Sequence, residues 1–156
     1  MAIVNGSFKW YQNGLGLIFT DPSILTTNTL KVILVSSGYT FNRTHQYYDV
    51  DITNELPTAQ GYTIGGETII NPNFVTDGNG DKTFSSNNIA WTVTSGTLSA
   101  RAWILYNDTP VNNKDLICFG HLNYNGGAPI DASSAISLGI LLDSGGWFKY
   151  IAQDNP

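Results

Sequence analysis

The sequence predicts a mainly β fold: an antiparallel β-sandwich or barrel-like domain with a short N-terminal helix. Three observations predict it. Seven or eight short apolar or alternating segments are separated by turns rich in Gly, Asn and Asp. Only 12% of the residues are charged, so few helices with Lys- and Glu-rich outer faces are expected. Hydrophobic residues make up 42% of the chain, enough for a core without disulfides or metal in 156 residues. No linker divides the sequence, so residues 1–156 read as one domain.

The elements follow in order. Ser7 to Phe19 reads as the helix, with Phe8, Tyr11, Leu15 and Ile18 at helical spacing and Ser7 as a cap. Gly14 and Gly16 weaken it, and Asp21-Pro22-Ser23 ends it. Leu30 to Val35 is apolar on both faces, the mark of a central strand. Thr44 to Val50 fits either one helical turn docking Tyr47 and Tyr48 on the sheet or a loop. Tyr62 to Ile70 reads as a strand interrupted at Gly65-Gly66 by a bulge or a close backbone approach.

Phe74-Val75 and Thr83-Phe84 flank Asp77-Gly78-Asn79-Gly80-Asp81, a hairpin signal. Ile89 to Val93 and Ser99 to Tyr106 are two more strands. In the second, Arg101, Trp103 and Leu105 share a face opposite Ala102, Ile104 and Tyr106. Leu116 to Leu122 is a strand, and Asn123 to Ala132 a Gly- and Asn-rich loop. Ala135 to Leu142 alternates cleanly, and after Ser144-Gly145-Gly146 a last strand runs from Trp147 to Ile151.

Composition also restricts function. Net charge is −5, and the seven Lys and Arg form no basic run, which argues against nucleic-acid binding. One cysteine, Cys118, makes no internal disulfide. The opening Met1-Ala2-Ile3-Val4-Asn5-Gly6 has no signal-peptide pattern, and no apolar run approaches the ~20 residues of a membrane helix. The expectation is a soluble chain made in a cytoplasm.

Candidate chemical groups each have a plain structural alternative. Asp77 to Asp81 has the alternating oxygens of a calcium loop, but the sixth and twelfth positions hold Lys82 and Asn88 where Gly and Glu are required. A hairpin turn is the better reading. Cys118 and His121 have half a zinc spacing, yet on a strand they point to opposite faces. Cys118 reads as a buried structural residue and His121 as a hydrogen-bonded surface group; His45 is the other histidine. Glu55 and Glu67 are the only glutamates, and nothing marks an acid–base pair among the carboxylates. Trp91 and Trp103 suit a core better than a sugar site. No phosphate-binding motif is present, so neither an enzyme nor a cofactor is expected.

A series of short pieces carries a resemblance. It comprises the amphipathic opening, Leu30-Lys31-Val32-Ile33-Leu34-Val35, Tyr39-Thr40, Thr44-His45 with Tyr47 and Tyr48, and Glu55-Leu56. It continues with Gly61-Tyr62-Thr63-Ile64-Gly65-Gly66, Ile89-Ala90-Trp91, Ser99-Ala100-Arg101-Ala102 and Tyr106-Asn107-Asp108-Thr109-Pro110. In this order, over about residues 8–122, the chain resembles small virion structural proteins of tailed bacteriophages. The resemblance implies a structural or decorating role on the virion, and with no reaction centre in the sequence the leading expectation is a capsid decoration, or cement, protein. Its partner would be the major capsid protein, and bound copies would form a homo-oligomer, with a trimer favoured. A tail, baseplate or fibre-tip component, with or without carbohydrate binding, is the alternative. Tyr124, Trp147 and Tyr150 are candidate interface anchors because aromatic residues carry interface energy. Trp147 and Tyr150 otherwise finish the core. Met1 to Gly6 and Gln153 to Pro156 lack a core pattern and are candidate arms.

Overall fold

Three apolar strands form the centre of the fold: β3 (Leu30–Val35), β9 (Ala102–Asn107) and β10 (Leu116–His121). The computed structural model describes residues 2–3, 8–123, 128–134, 136–140 and 146–150, with backbone alone at 2, 3, 149 and 150. In chain order the other elements are β1 (Ala2–Ile3), β2 (Phe8–Trp10), α1 (Gln12–Thr20), α2 (Ile24–Thr27) and α3 (Tyr48–Asp51). After these come β4 (Glu67–Thr68), β5 (Asn73–Thr76), β6 (Lys82–Ser85), β7 (Ile89–Thr92) and β8 (Thr97–Ala100). Last are β11 (Ile130–Ser133), β12 (Ser137–Ile140) and β13 (Phe148–Tyr150). The protein is mainly β, as the sequence predicts.

The largest sheet has the order β2-β10-β9-β3-β4, antiparallel throughout. Smaller sheets are β1-β12-β7, β11-β8 and β13-β6-β5. Alternation along the central strands separates two cores. Val32, Leu34, Trp103, Leu105 and Cys118 face the larger one, with Trp91, Leu98, Leu138 and Trp147 from the smaller sheets and their flanks. Ile33, Val35, Ile104, Tyr106 and Phe119 face the other, which Tyr11 and Tyr39 complete. Each buried aliphatic side chain contributes roughly 1.5–3 kcal/mol, so a strand apolar on both faces is worth most at the centre.

The opening differs from expectation. Phe8 to Trp10 is strand, pairing Lys9 with Phe119 and Trp10 with Cys118. Phe8 and Tyr11 fit a helical spacing, but Phe8 and Trp10 also fit strand alternation, and an open edge of β10 decides between them. The Tyr11 amide still bonds Ile117 O, and the Tyr11 carbonyl then accepts from the Leu15 amide, so α1 begins where the ladder ends. Gly14 fits α1 against β10, because a Cβ there would lie 2.4 Å from Leu116 O and 2.5 Å from Ile117 Cα. Gly14→Ala is expected to lower unfolding free energy by about 2 kcal/mol, the overpacking cost less the gain in helix propensity. Urea unfolding measures it.

Three further segments and the N-terminus depart from the sequence reading. Ser99 to Tyr106 is two strands, with the chain changing sheets at Arg101, whose amide bonds Val35 O and whose carbonyl accepts from Leu122. Tyr62 to Ile70 is mostly turn, leaving only β4 as strand, although the expected close approach is present. Gly66 has φ +70, and a Cβ on it would lie 2.0 Å from Val32 O. Part of the expected loop before Ala132 is β11, paired with β8. Of the two alternatives for Thr44 to Val50, the helical turn is the one that forms, as α3, and Tyr48 stacks on Tyr106 at 4.3 Å between centroids. At the N-terminus, Ala2 and Ile3 pair parallel with Gly139 and Ile140 instead of forming an arm.

The Asp77 hairpin forms as read, joining β5 to β6. Asp77 Oδ1 accepts from the amides of Asn79 and Asp81, the use expected of a turn-forming aspartate.

Candidate functional site

A groove lined by partly buried aromatic side chains lies beside α1. Phe8 and Trp10 alternate onto one side of β2, where the Phe148 ring meets both, at 5.8 Å and 4.7 Å between centroids. Leu15, Ile18 and Phe19 line the same space from the helix, and Phe74 lines it from β5. Together they enclose a groove of about 520 Å³. Phe19 is 72% exposed at its rim. Among the described residues the one charged residue lining it is Lys82, whose ammonium donates to Thr76 Oγ1 at 2.9 Å and lies 5.8 Å from the Phe74 ring.

On the other flank of α1 is an open pocket of about 570 Å³. Its lining is Gln12, Asn13, Gly16, Leu17 and Thr20 from the helix, with Thr44 and Gln46 opposite.

A third cluster is structural. Glu55 accepts from Tyr48 OH and Tyr62 OH at 2.6 Å each and from the Gly65 amide at 2.7 Å. Tyr106 OH donates to Gly65 O, and Tyr62 OH accepts from the Leu34 amide. The carboxylate therefore pins the 62–66 turns to β3 and α3. Burial raises the hydroxyl pKa values of Tyr62 and Tyr48, and the adjacent Glu55 carboxylate raises them further. Nearby, Asp108 is bridged by Lys114 at 2.6 Å and Lys31 at 2.8 Å. Partial burial alone would raise its carboxyl, but the hydrogen bonds from Lys114 and Lys31 outweigh it and hold the pKa below the usual range.

The residues singled out in the sequence do not assemble into one site. Cys118 is fully buried, and burial pushes its thiol pKa up. His121 is not a hydrogen-bonded surface group: its ring stands edge-on to Phe119 at 4.9 Å, and Nδ1 has no partner among the described residues. Burial, with the positive charges of Arg101 and Lys9, pushes its pKa down. His45 Nδ1 lies 3.2 Å from Tyr39 OH, which bonds Tyr11 OH at 2.7 Å. Trp91 and Trp103 are buried. Glu67 is exposed on β4, and among the described residues no three His, Cys, Asp or Glu cluster for a metal.

Of the candidate anchors, Trp147 finishes the core. It is 5% exposed, edge-on to Trp103, with its indole N–H on Ser86 Oγ at 2.8 Å. Tyr150 pairs with Lys82 through its backbone, and its side chain lies outside the described structure. Tyr124 and residues 153–156 lie outside the described residues. The groove aromatics were missed. The signal for them was Phe8-x-Trp10 followed by an apolar Leu15, Ile18 and Phe19 set wider than one core face needs.

No helix among the described residues is long and apolar enough to cross a membrane. Comparison with family models, curated proteins and solved structures matches the chain to none of them.

Proposed function

We propose that the chain is a capsid decoration protein of a tailed phage, which binds the shell exterior and reinforces contacts between subunits of the major capsid protein. The aromatic groove beside α1 carries this reading. Aromatic side chains in a desolvated pocket are the usual source of interface energy. The occupant is an apolar side chain of a shell subunit with a carboxylate beside it, because the groove is apolar and its one charge is the Lys82 ammonium. Copies bound around a symmetry axis form a closed ring, and a trimer suits a threefold position. Bound copies stabilise the assembled shell by mass action.

Co-sedimentation of the purified protein with empty shells tests the reading. Phe19→Ser is expected to weaken shell binding by at least about tenfold, a 1.4 kcal/mol loss. Its thermal stability should hold within about 0.5 kcal/mol, since the side chain is exposed. Hundreds of copies per virion support a shell position. A handful confined to the tail would replace it with a tail or baseplate role.

A further inference from the structure

We propose that the open pocket between α1 and the 44–46 segment is a saccharide-binding site. Its lining chemistry selects the ligand class. Among the described residues no cation or carboxylate lines it, so neither an anion nor a cation finds a counter-charge. An apolar ligand would cover amide groups and leave them unpaired. The Gln12 and Gln46 side-chain amides line it without a hydrogen-bond partner among the described residues, each offering donors and an acceptor. Asn13 commits one amide hydrogen to Asp115 Oδ1 at 2.8 Å, which leaves its carbonyl oxygen for a ligand. The Thr20 and Thr44 hydroxyls donate to Gly16 O and Asn42 Oδ1, so each can still accept. Mixed neutral donors and acceptors are what neighbouring sugar hydroxyls require. The volume, about 570 Å³, lies within the roughly 300–1,000 Å³ of small-molecule sites.

Gly16 is the second observation. It sits in the middle of a helix, where alanine is the better residue. Gly14 is explained by its contact with β10, but a Cβ on Gly16 meets nothing within 4 Å. Nothing inside the fold requires a glycine there. A ligand lying against the helix backbone does, and the C–H face of a pyranose ring laid on Gly16 and Leu17 supplies one. The walls are fixed in advance: the Gln12 amide bonds Arg43 O at 3.0 Å, and the Leu116 amide bonds Gln46 O at 2.8 Å.

The site is separate from the aromatic groove and serves a protein on a shell or a tail alike, so its failure leaves the docking reading untouched. The test is an NMR titration of the full ¹⁵N-labelled chain with glucose, galactose, mannose, rhamnose and N-acetylglucosamine at millimolar concentration. At least one sugar is expected to shift the resonances of Gln12, Gly16 and Gln46. Gly16→Val should then weaken binding at least about tenfold, with melting temperature retained because the added side chain points into open space. Gln46→Ala should weaken it less. The proposal is overturned if none of the five sugars moves these resonances, if the shifts fall on the aromatic groove, or if Gly16→Val binds as the parent does.

Discussion

Glu55→Ala is expected to lower the unfolding free energy by about 4 kcal/mol, since each hydrogen-bond donor stripped of its acceptor inside a fold costs roughly 1–3 kcal/mol. Three donors lose their acceptor at once: Tyr48 OH, Tyr62 OH and the Gly65 amide. Water relieves part of the cost, because Glu55 and Tyr48 are only half-buried. Tyr62 is 1% exposed, so its hydroxyl would keep only its bond from the Leu34 amide, in which it is the acceptor. Glu55→Gln should cost less, about 2 kcal/mol, because its amide keeps one acceptor oxygen and turns its NH₂ toward a hydroxyl that can accept. Urea unfolding of both variants checks the order. A Glu55→Ala protein within 1 kcal/mol of the parent would show that the carboxylate does not hold the turns.

Stability is expected to collapse in alkali. Burial raises the hydroxyl pKa of Tyr11, and the neighbouring Tyr39 raises it further; for Tyr62 burial again comes first and Glu55 second. In the unfolded chain both titrate near 10. Their folded pKa values are higher, so the stabilisation is complete below about pH 10 and is lost as pH rises. Each tyrosine that keeps its proton only when folded contributes a fall of about 1.4 kcal/mol per pH unit above that point. Urea unfolding across this range should show the decline, and tyrosinate absorbance of these residues should appear together with unfolding. Tyr11→Phe should make the decline shallower by one such contribution. A stability that stays flat to pH 11 would contradict the assignment.

How much was legible in the sequence varied with the physics of each element. The β3 residues alternate between two apolar sets, and only a strand covered on both faces uses both, so its place was readable. The hairpin at Asp77 was readable because its turn bonds are local. The boundary between β2 and α1 was not, because Phe8 and Tyr11 fit both periods and a partner about 110 residues away decides between them. The break at Arg101 was hidden for a similar reason: alternation continues in phase across it while the hydrogen-bond partners change. At the candidate site, composition announced aromatic residues but not which would turn outward. Trp147 went into the core, while Phe19, at the end of a helix stripe, stayed in water.

The central sheet also sets a timetable for biosynthesis. Strand β3 has five apolar residues of six, and its main partner, β9, begins only after residues 36–101 have been made. At ~5–20 residues per second, those residues take roughly 3–13 s to synthesise. Throughout that interval the one sheet partner of β3 to be made, among the described strands, is the two-residue β4, which pairs with Lys31 and Val32 alone. Pairings between such distant strands also close slowly once the chain is complete. The residue that interrupts this stretch is Lys31, which ends on Asp108 in the folded protein. Before Asp108 exists, the same charge serves the nascent chain as a gatekeeper against self-association.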